Sequence, residues 1–186
     1  MSSNVVVVPE RRSTTPTLFR LAGVAFATAQ LGRTAVRAGR IEEGLALIED
    51  ALALARELRA LAYQASIEAL MAEALVFARR PDEAHAVAER LLAEPESART
   101  LPLLHRVRGY ALFQQGRPSA ATAAVEESLA AARTMEMRFD IAASLHALVH
   151  LDGEDADRVA ERDSVMAQLD IVAFAEPPLG RVGVAA

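Results

Sequence analysis

A pattern of small residues around a tight turn is the feature that most constrains how this chain can fold. It first occurs within residues 31–52, where one predicted helix stops at Gly39 and a second begins with two glutamates. A glycine in this place accepts the positive φ that ends a helix, and acidic residues suit a helix N-terminus. The turn recurs at Arg79, Gly116 and Gly153, after 40, 37 and 37 residues. The chain is therefore predicted to consist of repeated helical hairpins.

Small residues also recur at fixed distances from the first three turns. Seven residues before each turn, and again five residues after it, the residue is glycine or alanine. These positions are Gly32, Ala72, Gly109, Gly44, Ala84 and Ala121. Small side chains at facing positions allow two antiparallel helices to approach closely. Before the fourth turn the equivalent residue is His146, so the pattern is expected to weaken there.

Apolar residues at spacings of three and four predict eight helices, arranged as four pairs. The predicted ranges are about 17–38, 41–59, 60–78, 82–93, 98–115, 119–134, 138–151 and 155–169. Residues 1–16 have no helical period and are predicted to form a disordered arm. Residues 17–169 are predicted to form the helical repeat domain. Residues 170–186, which contain Pro and Gly, are expected to cap that domain and then fray.

The composition favours helices and excludes several kinds of chemistry. The chain is 52% hydrophobic but only 4% aromatic, and it has no Cys. Without Cys it has no disulfide, no thiol nucleophile and no Cys-based zinc site. It also lacks a Gly-rich loop followed by Lys for nucleotide phosphates, and no Ser lies in a Gly-x-Ser-x-Gly elbow. We therefore expect an all-α, non-enzymatic protein without a cofactor.

The strongest candidate for a metal site is the pair His146 and His150, one helical turn apart, with Asp140 and Asp152 nearby. This spacing can place two imidazoles on one metal ion. However, the Glu that hydrolases carry between two such histidines is absent, and the sequence fixes no third ligand. We predict that both are ordinary core or interface histidines and that there is no metal site.

Two groups of residues carry a family resemblance. They are Leu31-Gly32, Gly39, Glu42-Glu43-Gly44-Leu45 and Ala51-Leu52, and then Gly109, Gly116, Ala121 and Glu127-Ser128-Leu129. Both resemble the tetratricopeptide repeat pattern, although the repeats here exceed the family's usual 34 residues and lack its early Trp. The resemblance covers about residues 17–169. It implies a right-handed α-solenoid of about four antiparallel helix pairs.

The long, Ala- and Arg-rich repeats are similar to those at the C-terminal ends of bacterial signalling ATPases, adenylate cyclase-like proteins and transcriptional activators. This resemblance implies a regulatory or sensing module of, or derived from, a larger bacterial signalling or transcription-regulating protein. It implies no catalysis, because none of those catalytic regions is present. The expected location is the cytoplasm, and the expected role is to bind a protein or peptide partner. A small-molecule sensor is the alternative.

The resemblance also predicts a binding groove, since the first helix of each pair would line the concave surface. The side chains expected there are Arg33, Arg37, Glu73, Arg106, Tyr110 and Gln114. A groove that mixes Arg with Tyr suits a peptide or an acidic segment, through bidentate contacts and a rigid aromatic surface. The alternative is that these residues are solvated or paired within the chain. Nucleic acid is not favoured as a partner, because the net charge is −5.

The first predicted helix is apolar on nearly all sides, although the terminal helix of a repeat array normally turns a polar face to water. We therefore predict that it either continues an array whose upstream repeats are missing or forms a homodimer contact through Phe19 and Phe26. It is not expected to cross a membrane. Its most apolar window, residues 18–31, contains Arg20 and is shorter than the roughly 20 apolar residues that a span needs.

Overall fold

The computed structural model describes residues 15–153 and 155–180. Within these ranges the chain forms eight α-helices, one 3-10 helix and no strand. The α-helices are α1 (Thr15–Arg37), α2 (Ile41–Glu57), α3 (Leu61–Phe77), α4 (Pro81–Leu92), α5 (Leu101–Gln114), α6 (Pro118–Thr134), α7 (Arg138–Asp152) and α8 (Ala156–Gln168). The 3-10 helix, Pro95–Thr100, lies between α4 and α5. The predicted all-α class is confirmed for the described residues.

The predicted helix ranges agree with the observed ones to within a few residues. The sequence predicts a helix from about residue 98, but α5 begins at Leu101, after the 3-10 helix. Pro102 explains the difference. It lacks the N–H that a helix starting at residue 98 would need there, whereas a proline fits the first turn of a helix that starts at Leu101. The predicted arm, residues 1–16, lies outside the described residues except for its last two, with which α1 begins.

Seven of the eight α-helices in the described ranges are followed by a residue with positive φ. Four of these are the turn positions predicted from the sequence, and three are not: Gly39, Arg79, Gly116 and Gly153, then Arg59, Glu136 and Asp170. After six of the seven helices, the next backbone N–H donates to the carbonyl five residues back, as Arg40 does to Ala35 at 2.9 Å. This bond satisfies a carbonyl that the helix end would otherwise leave unpaired.

The two helices of the first and third pairs approach each other closely at glycines, as predicted. A Cβ atom on Gly32 would lie 2.6 Å from the carbonyl oxygen of Gly44, and a Cβ on Gly44 would lie 2.5 Å from the carbonyl oxygen of Gly32. In the third pair, a Cβ on Gly109 would lie 2.4 Å from Cγ2 of Val125 and 3.0 Å from the carbonyl oxygen of Ala121. These distances are too short for any side chain, so the glycines set the helix separation.

The contacts between helices follow a simple order. Each α-helix contacts the next one along the chain, and α1, α3, α5 and α7 also contact one another in sequence. The even-numbered helices make no contact with one another within the described residues. The odd-numbered helices therefore lie side by side, and we call the surface that they share the odd-helix face.

Residues 171–180, here called the C-terminal segment, contain no helix and fold back across the odd-helix face. Phe174 packs on Phe139 of α7, and the carbonyl of Pro178 accepts a hydrogen bond from Gln114 of α5 at 3.3 Å. Leu179 is buried in a cluster with residues of α3, α5 and α7. The sequence predicts that residues 170–186 cap the helices and fray; residues 181–186 lie outside the described residues.

Replacement of Gly32 by Ala should destabilise the protein by about 1–3 kcal/mol, because the new Cβ would meet the backbone of α2 and force the two helices apart. The matched control is Gly23→Ala in the same helix, where a Cβ would meet nothing within 4 Å. That change should stabilise the protein by about 0.5–1 kcal/mol, because alanine loses less backbone entropy in a helix. Urea unfolding followed by circular dichroism measures both. Equal effects of the two changes would contradict the close approach.

Candidate functional site

The odd-helix face divides into an open cleft and a covered groove. The cleft has a volume of about 590 Å³ and is lined mainly by residues of α1, α3, α5 and α7 and of the 3-10 helix. The covered groove is lined by residues further along the same four helices and lies beneath the C-terminal segment. In each odd-numbered helix the residues that line the cleft precede those that line the groove, as Leu103 precedes Arg106 in α5.

Aromatic and apolar side chains form most of the cleft wall. Tyr63 of α3 lies between Phe19 and Phe26 of α1, with ring centroids 6.3 and 6.1 Å away in edge-to-face arrangements. Phe139 of α7 and Leu103 of α5 also line the cleft. Phe19 is 68% exposed and Phe139 is 41% exposed. Large aromatic surfaces that remain open to solvent are typical of binding sites.

Charged side chains at the edge of the cleft come from the 3-10 helix. Glu96 and Arg99 both line the cleft, both are exposed, and neither forms an ion pair within the described residues. Two other charged residues of the lining, Arg33 and Asp140, are held by partners inside the protein. The charges available to a ligand in the cleft are therefore one cation and one anion.

Three of the predicted groove residues form an ion-pair cluster around a buried carboxylate. Arg33 donates to both carboxylate oxygens of Glu73, at 2.5 and 3.2 Å, and Arg37 donates to one of them at 2.6 Å. Glu73 is only 5% exposed. Burial by itself would raise the pKa of this carboxyl, but the charges and hydrogen bonds of the two guanidinium groups outweigh it and lower the pKa to about 2.

The other three predicted groove residues are also engaged within the chain. Arg106 donates to Asp140 at 3.0 Å and to Ser144 at 3.3 Å. Tyr110 is buried, and this burial raises the pKa of its hydroxyl to about 12. Gln114 donates to the carbonyl of Val76 at 2.9 Å.

All six predicted groove residues thus lie on the odd-helix face, but as paired or buried groups. The sequence left open that these residues are paired within the chain, and four of them are: Arg33, Arg37, Glu73 and Arg106. Contact of any of the six with a partner stays a prediction.

The predicted N-terminal interface residues belong to the cleft. Phe19 and Phe26 both contact Tyr63, and Phe26 is partly buried. The most exposed large apolar side chains elsewhere on α1 are Leu18, Leu21, Val24 and Leu31. The apolar character of the first helix therefore divides between the cleft and this second strip, and a homodimer contact stays a prediction.

The two histidines considered as metal ligands have different surroundings. His146 is partly buried, with its ring 5.2 Å from that of Phe174 and its Nε2 atom 4.0 Å from Glu176. Burial lowers the pKa of His146. His150 is exposed. Across residues 15–153 and 155–180, no group of three or more His, Asp or Glu side chains is arranged to hold a metal ion.

Sequence reasoning missed most of the cleft, although a signal for it was present. The residues thirteen positions before the four predicted turns are Phe26, Ser66, Leu103 and Asp140, and all four line the cleft. The same turn positions had already predicted the close helix contacts. Tyr63 and Arg99 do not follow this rule, and no other sequence pattern marks them.

Comparison with known proteins supplies no identification. No model of a known protein family matches the chain, and a search of curated proteins finds no significant match. In the part of the chain that the structure describes, no helix is both long enough and apolar enough to cross a bilayer.

The ion-pair cluster should make stability depend on acid pH. The folded-state pKa of Glu73 lies below its ordinary value of 4.5, so its stabilisation is present above about pH 4.5 and is lost as the pH falls toward 2. Glu73→Gln should lower the free energy of unfolding by about 3 kcal/mol near pH 7. The difference from the wild type should shrink steadily on acidification, as measured by urea unfolding at a series of pH values.

The control for this experiment is Glu43→Gln, which breaks the exposed pair between Glu43 and Arg40. Exposed pairs contribute about 0–1 kcal/mol, so this change should have a small effect. A difference between wild type and Glu73→Gln that stays constant from neutral to acid pH would show that the carboxylate is not stabilised by its two partners.

Proposed function

We propose that this chain is a non-enzymatic protein-interaction module of the tetratricopeptide type, and that its cleft binds a short segment of a partner protein. The main support for the proposal is the cleft, which is lined by residues of all four odd-numbered helices and has exposed aromatic rings in its wall. A contiguous aromatic recess of this kind suits large apolar side chains of a partner.

Three regularities support the array on which this proposal depends. Residues 34 to 40 positions apart meet on neighbouring odd-numbered helices, as in the pairs of Arg33 with Glu73 and of Arg106 with Asp140. Residues with positive φ recur every 20 positions from Gly39 to Arg79. Within the described residues, each α-helix contacts only those α-helices that are next to it along the chain or next to it in the odd-numbered series. A right-handed stack of four helix pairs would produce all three and would make the odd-helix face its concave surface.

The chemistry of the cleft defines the segment that it would accept. The rings of Phe19, Tyr63 and Phe139 would hold one or two large apolar side chains of the segment. Arg99 and Glu96 at the edge would each meet a charge of opposite sign. A partner segment that combines aromatic or aliphatic anchors with both kinds of charge fits best.

The role of such a module would be regulatory. The similarity of its repeats to those of bacterial signalling ATPases and transcriptional activators supports a place within, or derived from, a larger protein of that kind. In that setting the cleft would recognise a partner and would perform no chemistry.

A small-molecule sensor is the second candidate, and the size of the cleft favours it. A volume of about 590 Å³ lies within the range of pockets that hold drug-sized ligands, about 300–1,000 Å³. The exposure of Phe19 and Phe139 favours the peptide, since a small ligand is usually enclosed on most sides.

Selection of a random peptide library on the immobilised full chain tests the proposal. Enriched peptides should carry large apolar residues, and fluorescence anisotropy should give their affinity for the wild type and for two variants. Phe19→Ser combined with Tyr63→Ala should weaken binding by about tenfold or more, because both rings line the cleft. Leu31→Ser is the matched control, since Leu31 is on the same helix and 65% exposed but lies outside the cleft.

Peptides that bind the double variant as tightly as the wild type would show that the cleft is not the site. Two results together would favour the small-molecule sensor: no peptide is enriched, and a small molecule raises the thermal unfolding midpoint of the wild type but not that of the double variant.

A further inference from the structure

The C-terminal segment lies across the odd-helix face as a bound peptide would. It has no helix or strand of its own, and it passes from α7 to α5 and on to the buried cluster that includes α3. Its anchors are Phe174, which packs on Phe139 and His146, and Pro177 and Leu179, which are buried. Between these anchors the side chains of Ala175 and Glu176 are exposed.

The attachment of this segment is sparse. Within the described ranges, Gln114 is the one helix side chain that donates a hydrogen bond to the segment, at 3.3 Å to the carbonyl of Pro178. The carboxylate of Glu176 lies 4.0 Å from Nε2 of His146. Val172 is 96% exposed, so the connection from α8 adds little apolar contact there. A segment held by two or three apolar anchors can leave its groove without unfolding the helices, because few buried contacts oppose local release.

The fit beneath the segment is also incomplete. Among the residues that the structure describes, three buried polar atoms there have no hydrogen-bond partner: Nε of Arg37, Oε1 of Gln114 and Nε2 of His146. Pro177 and Pro178 have no N–H that could reach the Gln114 oxygen. A cavity of about 20 Å³, about the size of one water molecule, remains between the segment and the groove. The groove therefore offers more polar contacts than this segment uses.

The charge of the groove defines what else could bind. Two arginines, Arg37 and Arg106, and one carboxylate, Glu73, line the groove, so these three side chains carry a net charge of +1. An acidic side chain in an occupant would be attracted to these side chains. Glu176 of the segment lies 4.0 Å from Nε2 of His146, which also lines the groove.

We propose that the groove beneath the C-terminal segment is a second binding site, which accepts an extended acidic segment of a partner protein, and that residues 174–179 occupy it as an internal competitor. The site is separate from the cleft, so this inference goes beyond the proposed function and does not require it. The partner segment would carry an apolar anchor at each end, an acidic residue between them, and a backbone N–H for Gln114.

The internal competitor should suppress binding of any external segment. A tethered segment acts at an effective concentration of the order of millimolar, so a free peptide of similar affinity competes poorly with it. Removal of the apolar side chains that anchor the segment should therefore expose the site. A groove that the segment occupies would then gain affinity for a free peptide, whereas a surface that binds nothing would not.

The probe is a fluorescein-labelled peptide with the sequence of residues 170–180, and the protein is the full chain. Fluorescence anisotropy should detect binding to the variant Phe174→Ala with Leu179→Ala at least about tenfold tighter than to the wild type. Val172→Ala is the matched control, because Val172 belongs to the same segment but touches almost nothing, and it should behave as the wild type. A probe with Gln in place of Glu176 should bind the released variant about threefold or more weakly.

Circular dichroism establishes that the released variant keeps its helices; if it does not, Phe174→Ala alone takes its place and should give a smaller gain in the same direction. A folded variant that does not bind the probe would overturn the proposal, as would equal binding to the wild type. The cleft variant, Phe19→Ser with Tyr63→Ala, separates the two sites. For two independent sites, we expect the cleft substitutions to weaken binding of peptides selected for the cleft. The same substitutions, added to the variant Phe174→Ala with Leu179→Ala, should leave its affinity for the probe unchanged.

Discussion

The close approach of paired helices at small residues determines the rest of the structure. Gly32 and Gly44 bring the backbones of α1 and α2 into contact, and Gly109 does the same for α5 and α6. Because the separation is fixed by atoms that cannot move apart without loss of packing, each helix presents a defined face to its neighbours. The alignment of the four odd-numbered helices, and with it the cleft and the covered groove, depends on this spacing.

Two ion pairs lie at the boundary between the cleft and the covered groove. Arg33 lines the cleft while its partner Glu73 lines the groove, and Asp140 lines the cleft while Arg106 lines the groove. Breaking either pair would leave a charge in surroundings that exclude water, which is costly. The pairs thus fix the floor of both regions, and Phe139, which lines the cleft and packs on Phe174, forms a third connection between them.

The parts of the fold that were predictable are those that one helical hairpin determines. The turns at Gly39, Gly116 and Gly153 could be predicted because a glycine with positive φ often ends a helix. The close helix contacts at Gly32 and Gly109 could be predicted from the fixed distance of these residues to the turns. The pairing of Arg33 with Glu73 could not be assigned, because it depends on the rotation of one hairpin against the next. The path of residues 171–180 depends on many weak contacts with several helices, and no local pattern encodes it.

The order in which contacts can form follows from the course of the C-terminal segment. Contacts between successive helices join residues close in sequence, and such contacts close quickly because little chain entropy is lost. The bond from Gln114 to Pro178 joins residues 64 positions apart, and the cluster around Leu179 reaches back to α3. The helices can therefore assemble from the N-terminal side as they emerge during synthesis, and the groove stays open to other chains until the C-terminal segment, which is made after them, arrives to cover it.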